Sequence, residues 1–216
     1  LVKLNETFLE TAECTPEHQA KKAKKTTDAG NIGTTILDAT CSPSNIRYPQ
    51  DFSLLNEARE KTDAMIDNLH AQFNEGRRPR TYRRVMRAAY LDMAKSKKRS
   101  VQKVRALIRK LLCSLKRNLD FVSAYLAKGG KLPQKSMTNL ETIRALYRQQ
   151  KQMFDSKNHR VADRIVSISQ PYIRPIVRGK TKAPVEFGAK YDVSIDEKGH
   201  ARLEKLSFDP YNECSV

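Results

Sequence analysis

The sequence contains no tryptophan, only 8 glycines and 9 prolines, and four cysteines scattered at Cys14, Cys41, Cys113 and Cys214. Each scarcity excludes something. So little glycine and proline excludes a collagen-like or low-complexity chain. The cysteines form no Cys-x-x-Cys pair and no zinc-ligand spacing, and His18, His70, His159 and His200 form no His-x-x-x-His pair. The thiols therefore read as reduced and cytosolic rather than as a disulfide framework or metal site. No apolar run approaches the roughly 18–20 residues of a membrane span, and the opening LVKLNETFLE lacks the apolar stretch of a signal peptide. Acids are scarce as well: 24 Asp+Glu against 41 Lys+Arg give a net charge of +17. What remains is a chain of 216 residues, 39% hydrophobic, able to bury a core in one or two domains. Its charge points to a polyanion partner.

The positive charge is concentrated. Between Arg77 and Arg117 there are sixteen Lys and Arg against the single acid Asp92, a net +15. The stretch 51–76 carries −4 and the stretch 186–213 carries −3. With Tyr82 and Tyr90 interleaved, the middle segment is a candidate phosphate-binding surface. A charge run taken alone equally suits a solvated helix face. The candidate nucleic-acid contacts are Arg77, Arg78, Arg80, Arg83, Arg84, Arg87, Lys97, Lys98, Arg99, Lys103, Arg105, Arg109 and Lys110.

Periodicity assigns this segment to helix. Val101, Val104, Ile108, Leu111, Leu115, Leu119, Val122 and Leu126 recur at spacings of three and four, and the basic residues fall on the opposite arc. With no Trp, and Phe121 as the single interfacial anchor, this helix is a poor membrane-surface element. A helix is also predicted over 51–73, started by Asp51 or Ser53, and another over roughly 81–95. A further helix follows Thr138 and Glu141, whose spacing is that of a capping box. Residues 50–157 thus read as mostly helical. Short strands are expected at 34–39 and 164–168. From Val185 to Ile195 apolar and polar residues alternate, and Asp196-Glu197-Lys198-Gly199 turns the chain into 201–208, so 185–208 reads as a hairpin. Residues 1–30 read as an N-terminal arm or the remnant of an upstream helical domain.

One carboxylate, Asp38, lies near the end of the first strand in Gly33-Thr-Thr-Ile-Leu-Asp-Ala-Thr-Cys-Ser-Pro43. From the residues alone it is a capping group or a metal ligand. The block LDATCSPSNIRYPQDFSLLNEARE, with the later RIVSISQPYIRPIVRGK and VEFGAKYDVSI, resembles insertion-sequence transposases with a DDE, RNase H-like catalytic domain. The resemblance covers about residues 30 to 213. It implies an α+β fold: a partial RNase H-like sheet, strand one plus hairpin, in a domain over 31–216 with a basic helical insertion at about 50–157.

The resemblance further implies DNA strand cleavage and transfer, with Asp38 as the first catalytic and metal-ligating carboxylate. Such chemistry uses two Mg²⁺ or Mn²⁺ ions that clamp the attacking and leaving oxygens of a phosphodiester, and hard cations of this kind take oxygen ligands. The second Asp and the Glu of the family pattern have no match here, so the chain is expected to be an incomplete catalytic domain, inactive alone and without a tightly bound metal. Asp192, on the polar side of its strand, is expected to be solvent-exposed. Asp196 and Asp209 carry no recognisable motif, and whether any of the three substitutes for a missing carboxylate stays open. The implied partner is DNA at the element ends, with a homo-oligomer left open and no membrane. Two other classes fit the charge: a non-enzymatic basic DNA-binding module, and a helical RNA-binding protein, although no aromatic stacking platform of the usual RNA-binding kind is present.

Overall fold

A computed structural model describes residues 36–73, 76–177, 185–196, 199–209 and 211, the backbone alone for 36–39. The arm expected at 1–30 lies outside the described residues. The described chain is α+β, with four helices and a small four-stranded antiparallel sheet. It divides into two compact units: a helical one, Ile46–Tyr172, and a sheet unit formed by the chain on either side of it.

The helical unit contains α1 (Asp51–Phe73), α2 (Arg83–Lys95), α3 (Val101–Ala127) and α4 (Gln134–Ser156). Side-chain pairs fix their directions. Asp63 meets Asn118 and His70 meets Tyr125, so α1 and α3 run the same way. Arg83 meets Asp67 near the start of α2, while Phe52 meets Tyr90 near its end, so α2 runs against α1. Arg144 meets Ser123 and Arg105 meets Phe154, so α4 runs against α3. The result is a four-helix bundle with α1 and α3 at its centre.

The core follows from the spacing. Leu55, Ile66 and Leu69 of α1, Leu111, Leu115 and Val122 of α3, and Leu140, Ile143 and Leu146 of α4 are all fully buried. Each contributes roughly 1.5–3 kcal/mol of hydrophobic burial. Ser100 caps α3, its hydroxyl accepting from the Lys103 N–H at 3.3 Å. Gly129, at φ +91°, closes the other end, with the Gly130 N–H bonding the Tyr125 carbonyl. Gly130 also lets Leu69 approach where a side chain would collide with it.

Two sequence expectations fail here. Residues 164–168 are not a strand: Ile165, Val166 and Ile168 are buried in chain without regular secondary structure. The Ile165 N–H donates to Gln149 Oε1 at 3.0 Å instead of to a ladder. The capping box at Thr138 and Glu141 is also absent. Helix α4 begins earlier, after Pro133, and the Thr138 hydroxyl donates back to the Gln134 carbonyl from inside the helix.

The sheet unit is built on β3 (Val185–Ile195). One edge of β3 pairs with β1 (Ile36–Pro43); the other pairs with β2 (Arg174–Val177) and then with β4 (Ala201–Ser207). The expected hairpin is therefore present. A bulge in β4 interrupts the register between Asp192 and Val193.

Candidate nucleic-acid interface

On α3, buried residues occupy one arc of the helix and cationic residues the rest. Lys103, Lys110 and Arg117 recur every seven residues along one margin of the buried arc; Arg105, Arg109 and Lys116 follow the other. The first margin lies on the α2 side, because Arg117 sits 4.8 Å from the Tyr82 ring centroid just ahead of α2. The second lies on the α4 side, where the Arg105 guanidinium is 4.1 Å from the Phe154 ring. On α2, Met86 and Met93 point inward and Arg84 and Arg87 outward.

Eleven of the thirteen candidate contacts are exposed; Arg83 and Arg105 are half-buried. Arg83 is engaged with the protein itself. Its two Nη groups donate to the Asp67 carboxylate at 2.8 and 2.9 Å, and this hydrogen bonding, against the opposing effect of burial, holds the guanidinium pKa above its ordinary value. Arg78 reaches the same carboxylate at 3.0 Å. Arg105 donates to the Phe154 carbonyl at 2.9 Å, and Arg99 donates to Gln50 Oε1 and the Ala94 carbonyl. With Arg80 set over the Tyr82 ring, that leaves Arg77, Arg84, Arg87, Lys97, Lys98, Lys103, Arg109 and Lys110 exposed, without an ion pair among the described residues. Charges held out in this way retain their full attraction for phosphate.

Sequence reasoning left out one feature of this surface. Tyr82 stands in the left-handed region, φ +53°, as the residue before α2, and Arg80 and Arg117 both lie within 5 Å of its ring centroid. Two guanidinia are thus gathered at a helix start that has neither a side-chain cap nor an acid in its first turn. The seven-residue recurrence of Arg117 with Lys103 and Lys110 was the signal for it.

The block that carries the family resemblance divides between the two units. Position 38 lies in β1, paired with Val193; position 192 pairs with Ala39. Successive strand residues alternate faces, so positions 38 and 192 fall on opposite faces of the sheet. These two carboxylate positions do not fit a shared two-ion clamp. Among the described residues no three His, Cys, Asp or Glu side chains gather into a set able to hold a metal. Asp192 itself corrects the sequence reading. It is fully buried, and neither carboxylate oxygen has a hydrogen-bond partner among the described residues. Asp196 bonds the His200 N–H at 2.8 Å in the hairpin turn, and Asp209 lies 3.7 Å from Arg174 Nε. The end of the block, Asn56 to Glu60, has a packing role: Arg59 is buried in α1, bonded to Asn56 and Asp63. No family model, curated protein or solved structure matches the chain, and no helix among the described residues is long and apolar enough to cross a membrane.

Proposed function

We propose that the helical unit grips DNA phosphates and forms the basic insertion of an insertion-sequence transposase catalytic domain of the DDE type. The observation that carries the DNA reading is the set of eight exposed cations, unpaired among the described residues, on α2, the 96–100 connection, α3 and the segment ahead of α2. A surface that keeps its cations out of internal ion pairs binds through counterion release, with little sequence readout. The transposase reading rests on the sequence block around Asp38. It agrees with a β1–β3–β4 antiparallel meander whose first strand contains that Asp, interrupted in sequence by the helical unit. In this reading Asp38 is the first of several catalytic carboxylates, and no catalytic step is assigned to this chain.

The second reading, a DNA-binding module without strand-cleaving activity, is favoured by the opposite-face register of positions 38 and 192. One assay tests both. The 216-residue chain is expected to retard linear duplex DNA in a mobility shift without cutting it in Mg²⁺. Mg²⁺-dependent nicking that disappears in Asp38→Ala would instead make the chain an enzyme in its own right.

A further inference from the structure

A cavity of about 590 Å³ opens within the helical unit, between the start of α1, the start of α3 and the end of α4. That volume lies in the range of sites that enclose a small organic group, roughly 300–1,000 Å³. Its apolar lining is Val104, Ile108, Met153 and Phe154, and Arg99, Arg105 and Lys157 supply the cationic part. The one acid that lines it, Asp51, is already neutralised: its carboxylate accepts from Arg164 at 2.6 Å and from Gln150 at 2.9 Å.

Two details narrow the ligand. Arg105 is held as a flat wall, its guanidinium over the Phe154 ring and its Nη2 donating to the Phe154 carbonyl. A guanidinium plane fixed in this way is a stacking surface for a nucleobase. Beside it, the first turn of α3 contains no acid and presents the positive end of a 27-residue helix, which favours a phosphate. Arg99 and Arg105 belong both to this cavity and to the basic segment, and Lys97, Lys98 and Lys103 adjoin them in sequence. The apolar floor, planar cationic wall and anion-attracting rim are therefore continuous with the proposed phosphate grip.

We infer that the cavity receives one unpaired nucleotide of a bound DNA strand, its base stacked on Arg105 and its phosphate beside Arg99 and the start of α3. The inference rests on the DNA-grip reading above. An acidic peptide would satisfy the rim but not use the planar wall.

The test compares three duplexes of equal length: fully paired, with one unpaired adenosine, and with an abasic residue in place of that adenosine. The full chain is expected to bind the adenosine duplex about tenfold more tightly than the abasic one. Phe154→Leu, which removes the ring behind Arg105, is expected to abolish that preference. Val101→Glu is expected to do the same from an 82% exposed position at the mouth, where the fold is indifferent to the change. Equal affinity for the adenosine and abasic duplexes, with binding still strongly salt-dependent, would overturn the nucleotide cavity and leave the phosphate grip standing. Salt-independent binding would remove the grip itself. Free dAMP bound as tightly as the unpaired adenosine would overturn the assignment to a DNA strand, and so would an acidic peptide that occupies the cavity while the two duplexes bind alike.

Discussion

The buried guanidinium of Arg59 has its neutralising partner on its own helix: Nη1 donates to Asp63 Oδ2 at 2.6 Å. Asp63 in turn accepts from Asn118 Nδ2 of α3 at 2.8 Å, and Asn118 also donates to Thr62 Oγ1 at 3.1 Å. A polar network of this kind ties the register of α1 to that of α3, because sliding either helix by one turn takes Asn118 away from Asp63 and Thr62 and leaves buried polar groups unpaired. Asp63→Ala leaves the buried Arg59 guanidinium only the half-exposed Glu60 carboxylate, 3.2 Å from Nη2, and a urea titration is expected to register a loss of about 3 kcal/mol. Asp63→Asn, which keeps an acceptor, is expected to cost less. Tyr147 gives a test by pH. Burial raises its phenol above the ordinary value near 10, outweighing the nearby Lys151. A raised folded-state pKa means that the native protein holds this proton longer than the unfolded chain does. Its stabilising contribution is complete below pH about 10 and is lost as pH rises through the folded value. The denaturation midpoint of the wild type should fall over that interval, and Tyr147→Phe should flatten the fall. An unchanged slope in the variant would show that other groups cause it.

Helix α3 was legible in the sequence because both of its faces obey the same period, so its buried arc and its basic arc each predict the other. The sheet was less so. Alternation in β3 correctly separates Val185, Phe187, Ala189, Tyr191, Val193 and Ile195 from the intervening polar positions, but it does not say which face is covered. Ile195 and Leu206 are exposed on the apolar side, while Asp192 and Ser194 are buried on the other. Covering is a tertiary fact, and a period of two contains no information about it. The same limit explains residues 164–168, where β-forming residues are buried by helices rather than by strands. Local rules also lose to stronger ones: Pro133 starts α4 before the Thr138–Glu141 spacing can act as a cap. Among the elements, β3 offers the clearest single-site test. At Gly188 a Cβ would collide with the Ser42 carbonyl oxygen of β1. Gly188→Ala should therefore push β1 off β3, and hydrogen exchange of the β1 amides should accelerate while amides of α1 and α3 stay protected. Equal protection of β1 in the variant would mean that the strand pair adapts.

At the scale of the molecule, two units of different character share one chain. The sheet unit contains Asp38 within the block that resembles transposases; the helical unit bears the positive charge. The net +17 of the whole chain is in effect the +15 of residues 77–117, set on a bundle whose acids are largely committed to internal partners such as Asp63 with Arg59 and Asp67 with Arg83. The candidate interface was therefore legible as composition, but the division between engaged and free cations was not. Arg83 looks like Arg84 in sequence, and only the fold brings Asp67 against one of them. Counterion release turns that division into a number. If six or more of the eight free cations meet phosphate, log K for duplex DNA should fall with log salt at a slope of roughly −5 or steeper. In the chain with Arg84, Arg87, Lys103 and Lys110 all changed to Gln, the slope should be shallower by about 3 to 4. A salt titration of DNA binding by these two proteins tests the account most directly. Those two slopes are the predicted result; a slope near zero, or an identical slope in wild type and variant, would contradict it.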